Sequence, residues 1–398
     1  MVPDSISIGR QIRRIRELAG LQAADLAAAL GLDASAVSNI EHDRRAVKAS
    51  ELATIAQFLG VSQLALLEPD SLLARLPVAA RAAGAPVDQS VMARLIAIAE
   101  LHEVLASGGH PASPSEYAAV EEPFGSWLDR ANTLAEFARQ RLRPAVEEDD
   151  PFTNLVASIE NELHIDVLVE SFGDGSPAGA SITDPEFSLI FVSSDQPRPR
   201  ALFTLAHELA HVLTGDGAAL NIDENLRARS DSERLANAFA AGLLMPEDEI
   251  RRTIEAKGRG AEALGEMLVE FGVSYESLVY RLHNLQIINA GGRDQLRSLG
   301  WTGLLARLED GELGRSLLAA RGSRPERRPP LLLTSRCLRG VLDGTVGAAP
   351  LAGLLGIPID DLIESINSLE FAGALDEDYS LPLDTPEEAL RSFDANPV

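Results

Sequence analysis

The chain has one cysteine, Cys337, among 398 residues. An internal disulfide is therefore excluded, and so is a zinc cage built from cysteine thiolates, which leaves histidine and carboxylate to hold any metal. Histidine is scarce too, with seven in the chain, so the search for a metal site narrows to a few positions. No uninterrupted apolar run approaches the roughly 20 residues of a membrane-spanning helix. The opening residues, MVPDSISIGRQIRRIRELAG, lack the apolar stretch and small-residue cleavage site of a secretory signal. These two absences predict a cytoplasmic protein with no membrane partner.

Positive charge is also in short supply: 35 Lys and Arg stand against 60 Asp and Glu, a formal net charge of -25. That balance excludes a chain that coats nucleic acid over its whole surface, because acidity repels phosphate. The deficit is uneven. Residues 1–68 hold seven basic and eight acidic residues, a net of -1, so nearly all the negative charge lies downstream. With 45% hydrophobic and 24% charged residues, the composition is that of a soluble globular chain. At about one domain per 100 to 200 residues, the length points to several domains.

Periodicity divides the chain. In residues 8–66 apolar side chains recur with helical spacing: Ile8, Ile12, Ile15 and Leu18, then Leu26 and Leu30, then Val37 and Ile40, then Leu52, Ile55 and Leu59. Gly20, Gly31 and Gly60 stand where those short helices must stop. Residues 1–70 are predicted to be an all-α domain. Residues 71–146 read as an alanine-rich helical connector, broken at Ser107–Ser115. A third domain, 147–290, opens with an amphipathic helix over Phe152–Leu163 and strands over Ile165–Ser171 and Leu189–Ser193. A helix over 202–214 follows, then one over Asp231–Leu244 that stops at Met245-Pro246, then further helices to about Leu285. Residues 291–398 form a C-terminal helical region of unknown role. Within it Arg321–Pro330 reads as an exposed linker, and Asp360 is placed to cap the last helix. The whole predicts a multidomain, mainly α protein whose third domain is α+β with a small β-sheet.

The chemistry lies in Ala206-His207-Glu208-Leu209-Ala210-His211-Val212. On a helix the two histidines stand one turn apart on one face, so both imidazoles can reach a single ion, while Glu208 sits about 100° round and can act on water without being a ligand. A third protein ligand would leave one tetrahedral position for a water, whose pKa zinc lowers from about 15.7 toward roughly 7. Accident produces this five-residue pattern in on the order of one chain in a hundred of this length, so context decides. Phe203, Leu205, Leu209 and Val212 give the apolar face that an active-site helix lying in a core requires.

The stretch Arg200–Leu213, RALFTLAHELAHVL, followed by Ser232–Pro246, SERLANAFAAGLLMP, and by Val273–Leu285, VSYESLVYRLHNL, resembles the ImmA/IrrE metallopeptidases. The resemblance covers roughly residues 150–290 and implies a zincin-like, HExxH, gluzincin-like domain. It implies His207, His211 and Glu233 as zinc ligands, with manganese as an alternative metal, and Glu208 as the catalytic general base. On the residues alone the third ligand stays open, since Asp231, Glu224 and Asp223 are also acids within reach. Phase favours Glu233, at the N-terminal edge of the stripe Leu235, Ala236, Phe239, Ala240 and Leu243. Asn237, one turn on, either orients Glu233 or His207 or is satisfied by backbone. Tyr275, Tyr280, Arg281 and His283 are available as oxyanion donors, and nothing ranks them.

Residues 20–45, GLQAADLAAALGLDASAVSNIEHDRR, resemble the Xre/Cro-type helix-turn-helix. That docking places Ala34, Ser35, Ser38 and Asn39 at the major groove, with Arg44 and Arg45 on phosphate. Asn39 is the residue able to pair bidentately with adenine. The sequence departs from the family pattern at Ala23, where glutamine is usual, and at Ala34, where a longer polar residue is common.

Together these readings predict a zinc-dependent endopeptidase and DNA-binding regulator. By resemblance its substrate is a helix-turn-helix repressor, or the chain itself cut within Leu72–Arg143, so that repression is relieved in a stress, prophage or mobile-element response. The alternatives are a transcription regulator whose peptidase-like domain senses a ligand or metal without proteolysis, and a toxin-antitoxin component. A homodimer is expected because helix-turn-helix modules commonly occupy two half-sites.

Overall fold

The computed structural model describes residues 7–18, 21–59, 63–67, 89–113, 125–142, 150–173, 176–184, 186–215, 220–223, 230–308 and 311–375. Two compact units emerge, one within Met1–Glu103 and Gly217–Ile222, the other within Val104–Asp216 and Asp223–Val398. Much of the predicted connector 71–146 lies outside the described residues, as do Gly20, Gly60 and residues 376–398.

The first unit begins with helices α1 (Ile8–Leu18), α2 (Ala23–Leu30), α3 (Ala34–Glu41), α4 (Ala49–Leu59) and α5 (Gln63–Leu67). The periodic apolar positions Ile12, Ile15, Leu26, Val37, Ile40, Ile55 and Leu59 form its buried core. Gly31 takes φ 63°, the left-handed cap that ends α2, and Asp33 accepts the Ala36 amide to start α3. Contact between α1 and α3 is close. A Cβ at Gly9 would lie 2.0 Å from the Ile40 carbonyl oxygen. Beside it Arg16 and Glu41, both nearly fully buried, form a two-pronged ion pair, Nε to Oε1 at 2.6 Å and Nη2 to Oε2 at 2.9 Å. A helix α6, Gln89–Ser107, runs across the division between the units.

In the second unit α7 (Trp127–Arg141) and α8 (Pro151–Leu163) precede strands β1 (Asp166–Glu170), β2 (Gly179–Thr183) and β3 (Ser188–Ser193). Strand β3 pairs in parallel with β1, Val167 opposite Ile190, and antiparallel with β2, Ser181 opposite Ile190. The long helix α9 (Arg198–Thr214) packs on β2 and β3, and α10 (Asp231–Leu244) packs on α9 and α7. A short strand β4, Leu220–Asp223, comes between α9 and α10 in the chain. Helices α11 (Glu247–Lys257), α12 (Ala261–Phe271), α13 (Tyr275–Asn284), α14 (Ala290–Leu308), α15 (Glu312–Gly322), α16 (Leu331–Leu342), α17 (Ala348–Leu355) and α18 (Ile359–Leu375) complete the unit. The protein is thus mainly helical with a small sheet. Strand β2 was not predicted, and Asp360 lies inside the first turn of α18 rather than before it.

The segment predicted to be an exposed linker is instead docked. Arg328 and Val169 exchange two backbone hydrogen bonds, each 2.9 Å, which closes the edge of β1 that faces away from β3. The Arg328 guanidinium bonds the buried Glu160 carboxylate, while Arg327 reaches Glu170 at 3.3 Å and the Leu354 and Leu355 carbonyls at 2.9 Å. Charge pairing with residues about 160 positions upstream turned an Arg-Pro-rich stretch into a strap. Two buried carboxylates then receive the start of α16: Glu160 accepts the Leu331 amide at 3.1 Å, and Asp166 accepts the Leu333 amide at 3.0 Å. An N-terminal helix turn is where orphan amides and the helix dipole favour negative charge.

Burial nevertheless pushes the Asp166 carboxyl up to about 7, and the neighbouring Glu160 adds to it, against the Leu333 and Leu332 amides and the Arg336 charge. A carboxyl raised in the folded state from an ordinary 3.8 contributes stability below that value, and the contribution is lost as pH rises toward about 7. Asp166→Asn, which keeps an acceptor and removes the charge, should therefore gain urea resistance relative to wild type between pH 5 and pH 8. A midpoint difference that stays constant over that range would contradict the assignment.

Candidate metal centre

Helix α9 is buried along nearly its whole length. Leu202, Leu205, Ala206, Leu209, Ala210 and Val212 pack into the main core cluster with Phe239, Ala236 and Ala240 of α10 and Ile190 and Val192 of β3. In that apolar setting the helix carries His207 at 0%, Glu208 at 0% and His211 at 2% exposure. Polar groups so placed must be matched, because an unpaired buried polar group costs roughly 1–3 kcal/mol and a charge more.

Their match is each other. The two Nε2 atoms lie 3.1 Å apart. Glu233, in the first turn of α10 with its amide donating to the capping Ser230 hydroxyl, brings Oε2 to 3.4 Å from His207 Nε2 and Oε1 to 3.6 Å from His211 Nε2. The donor atoms of these three residues all fall within 4.8 Å of one another. Ligands bound to one zinc ion at about 2.0–2.1 Å in tetrahedral array stand about 3.3 Å apart, so this trio fits such an ion. Two imidazole nitrogens and a carboxylate are also the donor types zinc takes.

Glu208 faces the sheet instead. Its Oε2 accepts a 2.8 Å hydrogen bond from the Ser181 hydroxyl of β2, and both residues are fully buried. Strand and helix touch here, for a Cβ at Gly179 would sit 2.5 Å from Thr204 Cγ2 and 3.0 Å from Glu208 Cγ. Neither Ser181 nor Gly179 stood out in the sequence. The only signal was a short Gly-Ala-Ser-Ile-Thr run after a turn.

Of the other acids weighed as third ligand, Asp231 is exposed beside Arg234, Glu224 lies outside the described residues, and Asp223 is described in its backbone alone. Asn237 donates its side-chain amide to the Glu233 backbone carbonyl at 2.9 Å. Among the oxyanion candidates, Tyr275 donates to the Leu296 carbonyl at 2.8 Å, Arg281 donates to the Met245 carbonyl at 3.0 Å, and Tyr280 lies under Arg297. His283 is half-buried on α13.

In the first unit Ser35 and Ser38 are exposed on α3, Asn39 is half-buried and Arg44 is exposed beyond the helix. Ala34 opens the helix and is exposed. Ser35 donates to the cap residue Asp33 at 2.7 Å. Arg45 is held by both oxygens of Glu51, at 2.6 and 3.1 Å, so the fold already engages the guanidinium expected on phosphate.

Comparison with known proteins assigns a class to each region. Residues 160–283 match the family model described as the IrrE N-terminal-like domain, and residues 12–62 match the one described as helix-turn-helix. Over 104 residues the chain is 38% identical to the radiation response metalloprotease IrrE of Deinococcus radiodurans and 36% identical to that of Deinococcus deserti. The aligned part is 25% of this chain in both cases, and 32% and 37% of those proteins. The chain thus spans about a third of the length of the curated relatives it matches. Among the described residues, no helix is long and apolar enough to cross a membrane.

The close strand–helix approach yields a stability prediction. Gly179→Ala should cost on the order of 1–3 kcal/mol in urea unfolding, because the added methyl must displace Thr204 or the Glu208 stem in a fully buried site. A neutral substitution would mean that β2 and α9 sit farther apart than described.

Proposed function

We propose that this protein is a zinc-dependent endopeptidase joined to a sequence-reading DNA-binding module. The observation that carries the reading is a division of labour on one helix: His207 and His211 converge with Glu233, while the adjacent Glu208 stays outside that trio and is anchored through one oxygen by Ser181. A site that only binds metal has no need of the fourth residue.

In this reading His207, His211 and Glu233 hold the ion, zinc by donor type with manganese as the alternative. When bound, the metal supplies a Lewis acid beside the scissile carbonyl. Glu208, held by Ser181 through Oε2, uses its other oxygen to take a proton from the attacking water as the oxygen–carbon bond forms, then passes that proton to the amide nitrogen as the carbon–nitrogen bond breaks. Low exposure keeps bulk water from competing for the carboxylate.

The substrate is proposed to be a helix-turn-helix repressor, by the resemblance and because the chain carries such a module itself. Ser35, Ser38 and Asn39 on α3 then read bases, with Arg44 on phosphate, and cleavage lifts repression in a stress response. The names of the two Deinococcus relatives support the stress setting.

Two measurements test this. Purified protein should contain about one zinc per chain and cleave an Xre-type repressor from the same genome. Glu208→Gln should keep the metal and lose at least about 100-fold in kcat, Ser181→Ala should lower kcat with metal content unchanged, and Glu233→Ala should lose metal. Bound metal without cleavage would instead make the domain a sensor, and no metal would remove the ligand assignment. Separately, Asn39→Ala should weaken binding to the protein's own operator by about 1–3 kcal/mol and leave non-specific binding unchanged, as read by electrophoretic mobility at fixed salt.

A further inference from the structure

A cleft of ≈ 1040 Å³ lies in the second unit among α7, α10, α11 and α13, and four arginines line it. Glu136, Glu247 and Asp248 line it as well, so what matters is how each arginine is paired and not the net charge. Three of the four have anionic partners. Arg139 bonds Glu136, Arg251 bonds Glu247 at 2.6 Å, and Arg234 lies 3.6 Å from Asp231 and over the Trp127 ring.

Arg281 differs. Its Nε donates to the Met245 carbonyl at 3.0 Å, and among the described residues it forms no ion pair. Burial disfavours its charge, and Arg139 adds to the effect while Glu247 offsets it in part. Arg139 donates to the Gly242 carbonyl at 2.7 Å, and Arg281 Nη2 lies 4.0 Å from where a Cβ on that residue would stand. Two guanidiniums are thus tied by one N–H each to the carbonyl end of α10, where the helix dipole favours cations. Arg281 keeps the donors of its fork for a ligand. A guanidinium half out of water without a counterion is costly, and a carboxylate matches the fork in bidentate geometry.

We propose that this cleft binds a polypeptide through an acidic side chain received by Arg281 beside Arg139. The occupant is a polypeptide because the volume far exceeds one anion, Trp127 and Leu128 supply apolar wall, and the Asn132 amide can pair with a peptide group. Asn237 lies one turn along α10 from Glu233 and bonds its carbonyl, so the segment held here lies against the helix that carries the candidate ligand. On the peptidase reading, on which this role rests, the cleft selects substrates with acidic residues.

The test uses the full-length Glu208→Gln protein, a fluorescein-labelled Glu-Ala-Leu repeat peptide and its Gln-Ala-Leu counterpart, read by fluorescence anisotropy. The Glu peptide should bind on the order of tenfold tighter. Arg281→Gln should abolish that preference, Arg281→Lys should retain only part of it, and Arg251→Gln at the Glu247-paired arginine should leave it in place. Unchanged thermal midpoints confirm that the variants fold. Equal binding of both peptides, a preference that survives Arg281→Gln in a folded variant, or displacement by an equal concentration of inorganic phosphate would overturn the proposal. The two readings separate in the metal-loaded wild type. An Arg281-dependent preference without cleavage of any peptide or repressor would uphold the cleft and remove the peptidase, whereas cleavage without the preference would do the reverse.

Discussion

Everything in the second unit is arranged round one unfavourable demand: a helix buried on almost all sides must keep two imidazoles and a carboxylate in a dry core. Such groups persist only where each finds a partner at close range. The solution here uses two neighbouring faces of α9. Toward α10 the histidines meet Glu233, and toward β2 Glu208 meets a serine hydroxyl. Strand order follows from that demand, since β2 has to lie against α9 for Ser181 to reach the carboxylate. Gly179 is part of the same arrangement, because no larger residue would let strand and helix come so close.

A second set of buried charges ties the C-terminal helices to this core. Glu160 and Asp166, one on α8 and one opening β1, take the first amides of α16 and the Arg328 guanidinium. These bonds hold the start of α16 against α8 and β1. The strap at Arg327 and Arg328 also closes a sheet edge that would otherwise expose unpaired backbone.

The histidine helix was legible from sequence because its signal is local: two histidines four apart in an apolar helical run need no knowledge of the rest of the chain. The acid that faces them was not fixed that way, since Asp231, Glu224 and Asp223 also stood near in sequence and it took the family resemblance to single out Glu233. Strands β1 and β3 were legible through their Val, Ile, Leu and Phe content. Strand β2 was not, because Gly-Ala-Ser-Ile-Thr has small residues buried on both faces and shows no alternation. The docked strap was misread for a related reason. Arginine and proline describe an exposed segment locally, and the carboxylates that capture it lie about 160 residues away. In the first unit the apolar spacing gave the helices, whereas the engagement of Arg45 by Glu51 depends on how the turn after α3 folds back on α4.

The Arg16–Glu41 pair has a consequence for how such a module diversifies. Glu41 sits at the inner end of α3, and its two bonds to α1, with the Gly9–Ile40 contact beside them, fix the pitch and rotation of that helix. The outward residues Ser35 and Ser38 take no part in that lock. In the proposed DNA-reading role, drift at those two positions would change the surface offered to the bases while the helix keeps its aim, so target choice and architectural integrity would be inherited as separate traits.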